Sequence, residues 1–220
     1  MGGTELIIFD CDGVLIDSEV ISARVLIALL RDDGVEIDEG HVSAHFLGRS
    51  FPSVAADIRR DFDVALPETF EAVYRRKLLA TFEQELRATN GIRELLPQLS
   101  PRVCVATSSS PERAARSLQI VGLAEHFEGH VFTASEVANG KPAPDLFLHA
   151  AAREGVDPDA IVVVEDSAPG IAAAVAAGMR VCRYLGGAHF STEQRTQLAA
   201  QSEVPTFDCW TEFPALLNRI

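Results

Sequence analysis

The stretch Ile7–Glu19, IIFDCDGVLIDSE, decides how this chain is read. Four apolar residues, Leu6–Phe9, lead straight into Asp10 and Asp12, and Gly13 follows. A short apolar run bounded by a turn signal fits a strand buried on both faces, the kind found inside a parallel sheet. Open parallel sheets gather their functional groups at the carboxyl ends of the strands. Two carboxylates placed there repel one another unless a cation lies close.

Similar runs recur at Val103–Ala106, His130–Phe132, Ile161–Val164 and Arg180–Tyr184, with a weaker one at Thr206–Asp208. Segments of helical period separate them. Pro111–Val121 has proline in its first turn and Gly122 after its end; Gly155 closes Asp145–Arg153, and Gly178 closes Ala168–Ala177. Alternating strands and helices predict an α/β fold, a Rossmann-like parallel sheet covered on both faces. Between Ser18 and Leu86 the rhythm breaks. That segment shows only helical stretches, Glu19–Arg31, Asp38–Phe46, Ser50–Phe62 and Pro67–Glu85. It is far longer than a crossover connection needs. The expected organisation is a core domain of residues 1–17 and 87–220, with an inserted helical bundle of residues 18–86.

The composition narrows the function. An apolar share of 47% over 220 residues supplies a real core. A net charge of −13 argues against nucleic acid or an anionic membrane as partner. It leaves room for a small anionic ligand, because a metal ion and a few cations reverse the field locally. Cys11, Cys104, Cys182 and Cys209 form no CxxC pair and read as reduced thiols. No basic segment precedes an apolar one at the N-terminus, MGGTEL lacks the hydroxyl residue of a myristoylation site, and no apolar run approaches the ~18–20 residues of a membrane span. A cytoplasmic protein, monomer or weak homodimer, is expected.

The polar residues after each apolar run form one set. They are Asp10 and Asp12, then Thr107–Ser110, then Glu165, Asp166 and Ser167. The loop Asn139–Pro142 adds Lys141, which with Lys77 makes up all the lysines among nineteen basic residues. Carboxylates from two strand ends can share a hard divalent cation such as Mg2+. A hydroxyl, a lysine and loop N–H groups can hold phosphate oxygens. An aspartate can attack phosphorus, and a second one can move the proton. Each piece alone has a plainer reading. A DxDG is often only a turn, the serines can cap a helix, and Glu165-Asp166 suits a helix start.

Taken together, the pieces resemble the four motifs of the haloacid-dehalogenase-like superfamily, in its phosphatase and sugar-phosphate mutase branch. FDCDGVLIDSE resembles the first motif, VATSS the second, NGKPAPDLF the lysine motif and VVVEDSAPGIAAAVAAGM the fourth. The resemblance implies that Asp10 is nucleophile and metal ligand, and that Asp12 is general acid/base with its main-chain carbonyl on the metal. Thr107 and Ser108 would bind the phosphoryl group, and Lys141 would neutralise charge beside the nucleophile. Asp166, with Glu165 close, would complete a Mg2+ site, and a helical cap would cover the core. The stretch from Asp10 to Ile21 also resembles bacterial phosphatases that act on 6-phosphogluconate.

Departures from the family's branches sharpen the choice. Asp12 disfavours the dehalogenases, whose halide leaves without a proton, and the phosphonate-cleaving enzymes, which usually carry alanine there. The mutases place a histidine in the first cap helix where this chain has Ser22. An EF-hand loop wants glycine sixth and glutamate twelfth; here Gly13 is fourth and Glu19 tenth from Asp10. The expected function is therefore a Mg2+-dependent phosphatase of a small phosphorylated sugar or sugar acid, with a mutase as the alternative. For recognition the sequence offers Leu47-Gly48-Arg49-Ser50, which resembles the family's cap loop, and the basic cluster at Arg75 and Lys77. Asp17 and Glu19 read as hinge and first turn of the cap. His41 and His45 read as packing residues.

Overall fold

The computed structural model describes residues 3–46 and 48–220. Six strands form one parallel sheet: β1 (Leu6–Phe9), β2 (Arg102–Thr107), β3 (Val131–Thr133), β4 (Ile161–Glu165), β5 (Arg180–Tyr184) and β6 (Thr206–Phe207). Their spatial order is β3-β2-β1-β4-β5-β6. The strand order reverses at β1, so the crevice at its carboxyl end is where such a sheet takes a ligand. Every residue of β1 and β4 is buried, which accounts for their unbroken apolar runs.

Side chains alternate across the sheet and divide the core in two. Leu6 and Ile8 pack with α7 (Asp145–Glu154) and α8 (Ala168–Ala176) on one face. Ile7 and Phe9 pack on the other, where Phe9 meets Phe127, Trp210 and Phe213. This second cluster runs on without a break into the helices that separate β1 from β2. These are α1 (Glu19–Asp32), α2 (Glu39–His45), α3 (Phe51–Asp61) and α4 (Phe70–Glu85). Helix α4 turns Phe70, Tyr74, Leu78 and Phe82 inward, against Leu26 and Leu30 of α1 among others. The sheet-facing end of α6 (Pro111–Ile120) follows β2.

Three helices were not expected from the sequence. Helix α9 (Thr192–Gln201) buries no residue, so it shows no apolar period to read. Helices α5 (Ile92–Leu95) and α10 (Phe213–Leu217) are too short to display one. No helix among the described residues is long and apolar enough to cross a membrane.

The chain leaves and re-enters the sheet region through two segments joined by a short antiparallel bridge. Ile16 bridges Ala88 in antiparallel fashion, Asp17 N donates to Arg87 O, and Thr89 N donates to Leu15 O. Buried Thr89 locks this junction: its hydroxyl donates to Val14 O at 2.7 Å and accepts from Trp210 Nε1 at 3.0 Å. Valine there would keep the shape and orphan both partners, at about 1–3 kcal/mol for each buried polar group. Thr89→Val should therefore lower the urea midpoint with an unchanged slope. A midpoint equal to that of the wild type would show that the junction does not depend on this hydroxyl.

Candidate active site

The carboxyl edge of the sheet fixes the first acids. Asp10 N donates to Val164 O at 3.0 Å, so the β1–β4 ladder extends to Asp10 itself. Thr107 and Glu165 are the last residues of β2 and β4. Lys141 enters from the loop before α7. Its Nζ donates to Asp10 Oδ1 at 2.6 Å, Glu165 Oε1 at 2.7 Å and Ala106 O at 3.0 Å. An ammonium has three donors, and all three are used. Burial alone would lower the Lys141 pKa, but the carboxylates of Asp10 and Glu165 outweigh it and hold the group charged.

Glu165 acts as an anchor. Its second oxygen accepts from Asp166 N, Ser167 N and Ser167 Oγ, each at 2.9 Å. Burial raises its carboxyl, and Lys141 with these donors brings it below the usual range. Gly170 makes this possible, since a Cβ there would lie 1.7 Å from Glu165 Oε1.

Asp10, Glu165 and Asp166 offer oxygens within 4.8 Å of one another. Burial is the main cause that pushes Asp10 and Asp166 well above the ordinary carboxyl value, and their neighbouring carboxylates add to it. Asp166 Oδ2 is buried without a hydrogen-bond partner. An all-oxygen donor set with one orphaned atom and mutually repelling charges fits a hard divalent cation.

Asp12 has separate partners. Its Oδ1 accepts from Ser18 Oγ at 2.5 Å and from Arg113 Nη2 at 2.6 Å, and its Oδ2 accepts from Ser109 Oγ at 2.6 Å. Arg113 also donates to Ser22 Oγ at 3.0 Å and lies over the Phe82 ring, 5.5 Å from its centroid. Burial raises the Asp12 carboxyl, but Arg113 and the hydroxyl donors outweigh it and hold it below its ordinary value. The two aspartates of the opening stretch thus each have a protein cation, Lys141 for one and Arg113 for the other. Sequence reasoning missed Arg113. The signal was its place in the first turn of α6, directly after the serine run that follows β2.

Two chambers that share lining residues lie between the sheet edge and the helices of residues 18–86. The inner one, about 70 Å3, is lined by Asp10, Asp12, Thr107 and Ser108 below and by Glu19 and Arg49 above. Glu19, read as no more than the first turn of α1, faces this chamber with its pKa pushed up to about 8, first by burial and then by Asp12 and Asp166. The outer chamber, about 340 Å3, shares Arg49, Tyr74 and Arg113 with it and adds Arg75, Ser53 and Ser135. Arg49 is ion-paired with Asp57, and Ser108 Oγ donates to Gly48 O at 3.2 Å, which ties the loop to the sheet edge. Leu47 of the same loop lies outside the described residues. Arg75 is held by Glu71 on α4. Lys77 is exposed and lines neither chamber, because α4 turns Tyr74 and Leu78 inward instead. The His41 and His45 rings lie 4.5 Å apart at a 43° tilt and line neither chamber.

Comparison with known proteins gives the family. The haloacid dehalogenase-like hydrolase family profile matches residues 4–178, and the chain belongs to that family. A haloacid dehalogenase-like protein from Agrobacterium tumefaciens superposes with a TM-score of 0.82 at 34% identity, covering 99% of each chain. The 6-phosphogluconate phosphatase of Escherichia coli is 28% identical over 98% of this chain and 96% of its own. A phosphorylated carbohydrates phosphatase of Thermotoga maritima is 28% identical over 89% and 91%. Within the family, the chain is a phosphoric monoester hydrolase.

The Asp12–Arg113 pair gives a pH-dependent expectation. A carboxyl held low in the fold adds stability above its unfolded pKa, and that stability is lost as pH falls through the folded value. In Arg113→Met the buried Asp12 loses its cation and its pKa rises, so the variant is penalised at neutral pH and relieved once acid protonates it. Removing one partner of a buried pair costs roughly 3–5 kcal/mol. Urea unfolding should show that loss at pH 7.5 and a smaller one at pH 5; an equal loss at both would refute the pairing.

Proposed function

We propose that the protein is a Mg2+-dependent phosphatase of a small phosphorylated sugar or sugar acid, 6-phosphogluconate among the candidates, working through an aspartyl-phosphate on Asp10. The observation that carries this reading is a division of labour. Two carboxylates line one small chamber, one beside an ammonium and the acid cluster, the other gripped by a guanidinium and two hydroxyls. That separation suits one acid to attack and the other to proton transfer.

Asp10 and Asp166 would hold the cation, with Glu165 at its edge and the Asp12 carbonyl as a further ligand. The ion would supply charge neutralisation to the phosphoryl oxygens. Thr107, Ser108 and Lys141 would bind those oxygens. Asp10 attacks phosphorus as the ester P–O bond breaks, and Asp12 gives its proton to the departing sugar oxygen. The negative charge of the bound phosphate raises the Asp12 carboxyl enough to carry that proton. Water then attacks the phosphorus, Asp12 takes the proton back, and the Asp10 carboxylate is restored as phosphate leaves.

The helical segment of residues 18–86 would act as a cap that reads the rest of the substrate. A small inner chamber suits a phosphoryl group. The larger outer one, with Arg49, Arg75 and several serines, suits a hydroxylated body with a second anionic end. The relatives that act on phosphorylated carbohydrates and 6-phosphogluconate support this class. At the position of the mutase histidine, Ser22 is tied to Arg113, which favours hydrolysis over transfer to a second sugar.

With Mg2+, phosphate should be released from sugar and sugar-acid phosphates, with 6-phosphogluconate well ahead of β-glucose 1-phosphate. Chelation or Asp10→Asn should abolish release. Isomerisation of β-glucose 1-phosphate with little free phosphate would instead make the protein a mutase. Arg75→Ala should raise KM for a sugar-acid phosphate with kcat little changed, as expected for a contact made equally in ground and transition states. An unaltered KM removes Arg75 from recognition.

A further inference from the structure

Behind the acid cluster lies a second buried group that the reaction above does not use. His189 sits on the loop between β5 and α9, its side chain only 7% exposed, and its Nε2 lies 3.1 Å from Asp166 Oδ2. Neither imidazole nitrogen has a hydrogen-bond partner, and neither does that oxygen.

The surroundings are arranged to keep the imidazole there. Gly13 has φ +79°, and a Cβ on it would lie 2.1 Å from Asp166 Oδ2 and 2.9 Å from His189 Cε1. A Cβ on Gly187 would lie 2.7 Å from His189 Cε1 and 2.8 Å from Nδ1. Both glycines therefore leave empty the space that the ring and the carboxylate occupy. The loop itself is pinned. Ala188 N donates to Asp17 Oδ1 at 2.8 Å, and Arg195 Nη2 donates to Gly187 O at 3.2 Å. Ser191 caps α9 and holds the far side of the turn. Asp166 is fixed from its backbone as well, where Arg183 Nε donates to its carbonyl at 3.0 Å. With its backbone held, the Asp166 carboxylate faces His189 Nε2 at 3.1 Å as well as the oxygens of Asp10 and Glu165.

We infer that His189 is a positioning residue of the metal centre, which donates to Asp166 and aims its carboxylate at the divalent cation. The inference rests on the acid cluster being a cation site, and not on which substrate is hydrolysed. Carboxylate ligands are commonly oriented by a hydrogen-bond donor behind them, and loss of such a donor costs roughly 10–100-fold in metal affinity. This gives Asp17 a purpose besides joining the helices to the sheet: its carboxylate docks the loop that carries the imidazole.

The test is Mn2+ binding to the purified protein, followed by electron paramagnetic resonance of the free ion and by calorimetry with Mg2+ in competition. His189→Leu fills the space without a donor, and His189→Gln restores an N–H. Asp166→Asn marks the loss of a ligand. His189→Leu should weaken Mn2+ binding by about 10–100-fold, and His189→Gln should recover most of it, with both variants melting as cooperatively as the wild type. Wild-type affinity in His189→Leu overturns the inference, as does an equal loss in Leu and Gln, since a packing role would not distinguish them. Failure of the wild type to bind Mn2+ overturns it too. Tight Mn2+ binding without phosphate release from any sugar phosphate overturns the proposed activity and leaves this inference standing.

Discussion

One ammonium group ties three neighbouring strands together at their carboxyl ends. Lys141 reaches Asp10 beyond β1, the Ala106 carbonyl in β2 and Glu165 at the end of β4. It does so at 1% side-chain exposure, with Phe147 4.9 Å from its nitrogen. A buried cation is tolerated only when its partners are well placed, and these are placed by the sheet register, not by mobile side chains. The dependence runs in both directions. Without Lys141, Asp10 and Glu165 would face each other as unpaired buried charges. Without the parallel register of β1, β2 and β4, Lys141 would have nothing to bind.

Arg113 extends the same logic to the second aspartate. It comes from the sheet side of the molecule and ends among Ser22 of α1 and Phe82 of α4. The cation that sets the charge on Asp12 is therefore also a contact between the sheet and the helices of residues 18–86. An acidic chain with a net charge of −13 thus sets Arg113 and Arg49 into the wall of the chamber that Asp10, Asp12 and Glu19 line, each guanidinium paired with a carboxylate.

Much of this was legible in the sequence, and the exceptions have physical causes. Strands such as Leu6–Phe9 and Ile161–Val164 are buried on both faces, so their apolar runs are unbroken and their ends are sharp. Asp10, Thr107, Lys141 and Asp166 could be gathered because a parallel sheet brings strand ends to one edge. The expectation that a cation between the strand ends lets Asp10 and Asp12 coexist is refined by the structure, since each acid has its own side-chain cation, Lys141 and Arg113. Arg113 and His189 were missed for a common reason. One lies on a helix and the other on a loop, with no periodic pattern around them, and only the fold shows which way they point. Lys77 illustrates the converse: on a helix, adjacent basic residues do not share a face. Helix α9 buries no residue, so nothing in its sequence required an apolar period.

The acid cluster carries a cost that the protein alone does not offset. Burial and mutual repulsion push Asp10 and Asp166 toward protonation, and one Asp166 oxygen lacks a partner. Protonated, Asp10 is no nucleophile. A cation that binds only the folded chain stabilises it in proportion to its concentration over its dissociation constant, and returns both groups to the carboxylate form. In the proposed reaction the same ion would both stabilise the sheet edge and keep Asp10 in the carboxylate form that attack requires. Asp12 needs no such help, since Arg113, Ser18 and Ser109 already hold it ionised. In the proposed reaction the two acids would therefore differ in what readies them: Asp10 would need a metal ion, and Asp12 the charge of the substrate.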